Sequence, residues 1–161
     1  MQPADYSVLV QGGDQKVYNK ILVPLDGSAR AKVAAEHALE LAESMNAEVM
    51  FLHVIPALPP YVNKYSDRLG GTYQQIRDEL QLSGESLLNK VREDHSNSGL
   101  TIDTKIIWGN PSMEICREAK EGRFDLVIMG SRGLGEIKGY LMGSVSNRVV
   151  RHASCPVLIV R

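Results

Sequence analysis

Gly130, Gly133 and Gly143, the last followed by Ser144, fall in the spacing Gly-x2-Gly-x9-Gly-Ser. The cluster directly follows Phe124 to Met129, a run that reads as a buried strand, and directly precedes a helix-like segment from Ser144 to His152. A glycine turn between strand and helix lets main-chain N–H groups approach an anion with no Cβ in the way. Gly143-Ser144 opens the helix, where unsatisfied N–H groups and the helix dipole favour phosphate. The pattern predicts a loop folded around a phosphorylated ligand. Two better-known phosphate loops are excluded. Gly130-x2-Gly133-x-Gly135 has the wrong spacing for a dinucleotide fingerprint, and no Gly-Lys-Ser/Thr occurs for a Walker A loop.

Asp26, in Pro24-Leu25-Asp26-Gly27-Ser28, is the acidic residue best placed to join such a site. It reads either as a turn residue capping Ser28 or as a ligand partner. A phosphoacceptor aspartate would need further carboxylates beside it to hold a metal ion, and Leu25, Gly27 and Ser28 supply none. Arg132 and Lys138 lie within the glycine loop, where they either neutralise phosphate charge or face solvent. His37, His53, His95 and His152 are dispersed, and none pairs with a serine or cysteine nucleophile at recognisable spacing, so no triad is supported. His53 falls near the end of the second strand. Trp108 ends the third strand and reads as core rather than as a base-stacking ring. Tyr61, Tyr65 and Tyr73 belong to a proline-containing connection and read as surface aromatics.

The elements that must position these residues alternate regularly. Apolar strands are expected over Lys20–Asp26, Glu48–Ile55, Leu100–Trp108, Phe124–Met129 and Pro156–Val160. Ser28 is the expected N-cap of a helix reaching about Asn46, with Ala34, Ala38, Leu41, Ala42 and Met45 inward. Thr72 with Gln75 resembles a capping box for a second helix carrying Ile76, Leu80, Leu87 and Val91 on one face. Asn110-Pro111 starts a third with cap and N1 proline in the favoured order, and Ile115 and Ala119 face inward. Residues 1–19 read as a flexible leader, although Val8-Leu9-Val10 has the composition of an edge strand.

Strands alternating with helices predict a single doubly wound, Rossmann-like α/β domain over residues 20–161, with a parallel sheet covered on both faces. A length of 161 residues suits one such core. The formal net charge of −1 and scattered basic residues give no case for nucleic acid or an anionic membrane surface. No apolar run approaches the roughly 18 residues that span a bilayer. Met1 to Asn19 lacks the charged and apolar regions of a secretory signal. Cys116 and Cys155 lie outside any CxxC motif and read as small core residues, so a cytoplasmic protein is expected. In open parallel sheets, ligands bind beyond the carboxyl ends of the strands where strand order reverses. If strands one and four are neighbours there, Asp26 faces the Gly130 loop across a crevice, with the carboxylate at the ribose end of a nucleotide and the glycines at its phosphate end.

Ile21-Leu22-Val23-Pro24-Leu25-Asp26-Gly27-Ser28, His53-Val54-Ile55, Asp125 to Gly133, Gly143-Ser144-Val145-Ser146 and Cys155-Pro156-Val157-Leu158-Ile159-Val160 together resemble the universal stress protein family. The glycine spacing resembles its ATP-binding branch, and the match covers about residues 20–161. The resemblance implies a five-stranded sheet in the order 3-2-1-4-5, a homodimer, and ATP held between strands one and four. It implies that Pro24 and Asp26 flank the adenosine, with Leu25 between them also in the ATP site, that Val54 touches adenine, and that Met129 and Gly130 lie beneath the nucleotide. It implies that Gly133, Gly143, Ser144 and Val145 bind the phosphates, through which Mg²⁺ or Mn²⁺ would join, and Arg132 and Ser146 are expected among the ATP-binding residues.

Three function classes stay open at this point. The leading one is a nucleotide-dependent stress-response protein with at most slow hydrolysis, since no general base, arginine finger or Walker-type lysine is evident. The second is an ATP-hydrolysing enzyme assisted by Asp26. The third is an interaction module responding to AMP, cyclic AMP or no ligand. If the fifth strand is a sheet edge, Val157–Val160 presents unpaired backbone on an apolar run, and pairing of two copies through residues 156–160 is expected.

Overall fold

The computed structural model describes residues 17–57, 72–134 and 142–161. The Val8–Val10 segment and all of the leader before Val17 lie outside them, as do Tyr61, Tyr65, Lys138 and the side chain of Thr72. The chain runs β1 (Lys20–Pro24), α1 (Ala29–Met45), β2 (Glu48–Pro56), α2 (Thr72–Asp94), β3 (Ile102–Gly109), α3 (Pro111–Glu121), β4 (Leu126–Gly130), α4 (Ser144–His152) and β5 (Val157–Val160). The five strands form one parallel sheet in the order β3-β2-β1-β4-β5. Strand order therefore reverses between β1 and β4, as expected.

Alternation along β1 sends side chains to two separate cores. Ile21 and Val23 join Ala34, Ala38, Ala42 and Leu88 on one face. Leu22 joins Ile115, Ala119, Phe124 and Val149 on the other. All three central residues of β1 are fully buried, which is why this strand is a continuous apolar run rather than an alternating one. The alanines of α1 let its axis lie close to the sheet. Ser28 caps α1, its side chain accepting from Ala31 N–H at 3.2 Å, and Asn46 ends the helix in the left-handed region at φ 49°. Asn110 caps α3 in the same way, accepting from Met113 N–H at 3.3 Å.

Several expectations need correction, beginning with β1, which ends at Pro24 rather than Asp26, and β3, which starts at Ile102 rather than Leu100. The second helix does not bury Ile76, which is 42% exposed; its inner face runs through Gly84 and Leu88. A methyl at Gly84 would lie 2.7 Å from His53 Cδ2, so α2 can rest on the imidazole only through a glycine. The fourth strand starts at Leu126, two residues later than read. Asp125 instead turns its carboxylate to the start of β1, accepting from Asn19 N–H at 2.8 Å and Lys20 N–H at 2.9 Å. Trp108 packs against α2, donating to Gln81 Oε1 at 3.0 Å with the Arg77 guanidinium over its ring. Cys116 and Cys155 are both free and half-buried beside the second core. Burial pushes both thiols up, and Asp125 and Cys116 push Cys155 further. Among the described residues no helix is long and apolar enough to cross a membrane.

Candidate functional site

A cavity of about 410 Å³ opens where β1 and β4 end. That volume lies within the range of small-molecule sites. All twelve residues singled out from the sequence line it. Pro24, Leu25 and Asp26 come from the end of β1, and Val54 comes from β2. Met129 and Gly130 end β4, and Arg132 and Gly133 follow in the turn. Gly143, Ser144, Val145 and Ser146 form the start of α4. Sequence reasoning did not select Ala31, Pro56, Pro111, Ile115 or Leu134, which also line the cavity. The α3 pair was findable in principle: Pro111 and Ile115 sit one turn apart at a capped helix start. His53 lines the cavity too, as its place near the end of β2 suggested.

The two glycine turns are built onto one another. Gly143 N–H donates to Ser131 O at 2.8 Å, and the Ser146 hydroxyl reaches the same carbonyl at 2.8 Å and Gly143 O at 3.0 Å. A hydroxyl has one proton to give, so the Ser146 side chain acts inside the protein, clamping the turns together. It is 2% exposed. Ser131 is equally buried, and its N–H donates to Val160 O at 2.7 Å, which ties the turn to β5. The start of α4 differs from α1 and α3: its N-cap is Gly143 and no side chain caps it. The first turn of this helix, Ser144 to Ser146, lines the cavity with the dipole behind it.

The three glycines serve different ends. At Gly130 a Cβ would meet main-chain atoms of α1, 2.9 Å from the Arg30 carbonyl carbon and 3.1 Å from Ala31 N, so this glycine sets the approach of α1 to β4. At Gly133 a Cβ would overlap the Asp26 carboxylate. At Gly143 the nearest atom is at 3.4 Å, an ordinary contact.

Asp26 and the glycine loop lie closer together than a crevice between them would require. Rather than facing the glycine loop across open space, its carboxylate touches that loop: Oδ2 accepts from Leu134 N–H at 3.2 Å. Oδ1 accepts from Ser28 N–H at 2.9 Å, the turn-capping role that the sequence also allowed. Behind it, Leu25 is held to β2 twice. Leu25 N–H donates to Leu52 O at 2.8 Å, and His53 Nδ1 lies 2.7 Å from Leu25 O. A carbonyl only accepts, so His53 carries its proton on Nδ1. Among the described residues no group of three His, Cys, Asp or Glu side chains is gathered to hold a metal.

The family model for universal stress proteins matches residues 17–161, nearly the whole chain. This chain belongs to the universal stress protein family. A universal stress protein of Methanocaldococcus jannaschii is 33% identical over 153 residues, covering 95% of this chain and 87% of the relative. The solved structure of the hypothetical protein MJ0577 superposes with a TM-score of 0.77 at 28% identity, covering 89% of this chain and 96% of that one. A family protein of Arabidopsis thaliana, solved with AMP bound, superposes with a TM-score of 0.64 at 26% identity, covering 88% of this chain and 90% of that one. The fold and strand order described above are those of the family's solved structures.

Proposed function

We propose that this chain binds ATP in the cavity between β1 and β4 and uses the bound nucleotide to set its conformation or its contacts with a partner, with at most slow hydrolysis. The observation that carries the reading is the joining of the Ser131–Gly133 turn to the uncapped start of α4, through Gly143 N–H and the Ser146 hydroxyl on one carbonyl. Main-chain donors from two separate turns are thereby brought to one side of one cavity, the arrangement that suits a phosphate chain. The apolar side, with Val54, Ile115 and Met129, suits a base. The Arabidopsis relative with AMP bound supports an adenine nucleotide as the class of ligand.

Restraint in catalysis follows from Asp26. Both of its oxygens accept main-chain N–H groups, which favours a positioning role over that of a base activating water. Mg²⁺ or Mn²⁺ would arrive on the phosphates, since the described residues offer no cage of their own. The ion would supply charge neutralisation there, and the chain's part is to orient the phosphates by backbone donors. We also propose a homodimer through β5. Among the described residues this strand pairs only with β4, and Leu158 is 44% exposed on it, so an apolar edge is left to cover.

Isothermal titration of ATP into protein stripped of carried-over nucleotide tests the reading. Saturable heat is expected, competed by AMP and cyclic AMP to a degree that ranks the three. No heat at millimolar ATP would reject nucleotide binding.

A further inference from the structure

The Asp26 carboxylate is seated on the turn that follows β4. Its Oδ2 accepts Leu134 N–H across 108 positions of chain. Gly133 runs directly against it, so closely that a methyl on Gly133 would overlap Oδ2. Backbone conformation does not explain glycine here, because among the described residues the glycines with positive φ are Gly27 and Gly99. What requires a glycine at 133 is the carboxylate itself. A main-chain donor of the phosphate turn is thus engaged by an anion that belongs to the protein.

We propose that Asp26 is a tethered anion on this turn, and that it makes the site select a nucleotide over a bare phosphate chain. The inference rests on the nucleotide-binding reading above. A phosphate oxygen that takes Leu134 N–H must displace the carboxylate and then share the cavity with its charge. Like charges at hydrogen-bond range disfavour one another. A ligand carrying ribose hydroxyls compensates, because those hydroxyls donate to the displaced Oδ2 while its phosphate accepts from the amide. Hydrogen bonds are then exchanged one for one. Inorganic tripolyphosphate, ionised at neutral pH, has few protons to donate. It leaves a carboxylate that has lost a partner and gained a like-charged neighbour. Oδ1 stays on Ser28 N–H throughout, so the exchange needs only rotation of one short side chain.

Two measurements on the full chain test this. Tripolyphosphate and ATP are titrated into the native protein and Asp26→Ala in EDTA, which removes metal from the balance of charge. Asp26→Ala should bind tripolyphosphate at least about tenfold more tightly, and the preference for ATP over tripolyphosphate should narrow by at least that factor. Unchanged or weaker tripolyphosphate binding overturns the proposal. If native protein takes up no ATP, the nucleotide reading fails separately. The tethered anion is then judged by amide exchange at Leu134 without any ligand. Exchange should be faster in both Asp26→Ala and Gly133→Ala, since one removes the acceptor and the other expels it sterically. Exchange as slow as native in both variants would refute the contact.

Discussion

Replacing Gly130 by alanine should destabilise the protein through a single close approach. The added Cβ would lie 2.9 Å from the Arg30 carbonyl carbon, 3.0 Å from Arg30 Cβ and 3.1 Å from Ala31 N. Carbon atoms in contact prefer about 3.5–4.0 Å, so α1 and β4 must separate by roughly half an ångström or more. Two of the three opposing atoms are main chain, so rotating a side chain cannot relieve the overlap. Retreat of α1 would also disturb the Ser28 cap on Ala31 N–H and the packing of Ala31 and Ala34, which are 5% and 0% exposed. Overpacking of this kind costs about 1–3 kcal/mol. For a domain of this size each kcal/mol lowers Tm by about 2–4 °C, giving a fall of roughly 2–12 °C. Thermal melts followed by circular dichroism, with urea midpoints beside them, measure it. Gly143→Ser is the control. Its Cβ has room, its φ of −73° suits serine, and serine is a good N-cap, so its Tm should stay within about 2 °C of native. A Gly130→Ala protein melting within 1 °C of native, with an unchanged urea midpoint, would refute the reasoning.

Ser146→Ala removes the hydroxyl that clamps the two turns. Ser131 O keeps Gly143 N–H and Gly143 O keeps Asn147 N–H, so neither carbonyl is stranded, and the loss should be about 1 kcal/mol, or 2–4 °C in Tm; a loss above about 3 kcal/mol in urea titration would contradict that accounting. Sedimentation at micromolar concentration should find native protein dimeric and Leu158→Lys shifted towards monomer, because a lysine on an edge strand blunts pairing; a native monomer refutes the interface. With Cys116 and Cys155 pushed up by burial, less thiolate is present at neutral pH than in an exposed thiol. Both should react with a disulfide reagent more slowly than a small free thiol at pH 7.5, the rate rising as pH passes above the usual thiol range. Reaction at the rate of a free thiol at pH 7.5 would show that neither is shielded.

Elements whose signal is local were legible in the sequence. Buried parallel strands advertise themselves as short continuous apolar runs, and Ser28 and Asn110 sit in the caps that their types suggest. The glycine spacing carried the site for a related reason: the Gly130 close approach and the uncapped α4 start are both features that a sequence expresses through glycine. What escaped was decided at long range. Apolar residues of α2 fit two faces about one residue apart, and the choice between them is made by the His53 ring under Gly84, which periodicity does not encode. Asp125 falls inside the run read as a buried strand, yet its carboxylate pairs main-chain groups 105 and 106 positions away. The sequence pointed Asp26 towards the loop after β4 but did not encode its contact with Leu134, which depends on how closely that turn folds back over β1.

Amide NMR during titration tests most directly the central claim that main-chain donors from both turns meet one phosphate chain. With ATP, the N–H signals of Gly133, Ser144 and Val145 should shift together along one binding curve, whereas adenosine should move those near Val54 and Met129 and leave the three nearly still. Shifts confined to one turn, or equal at all sites for ATP and adenosine, would contradict the account.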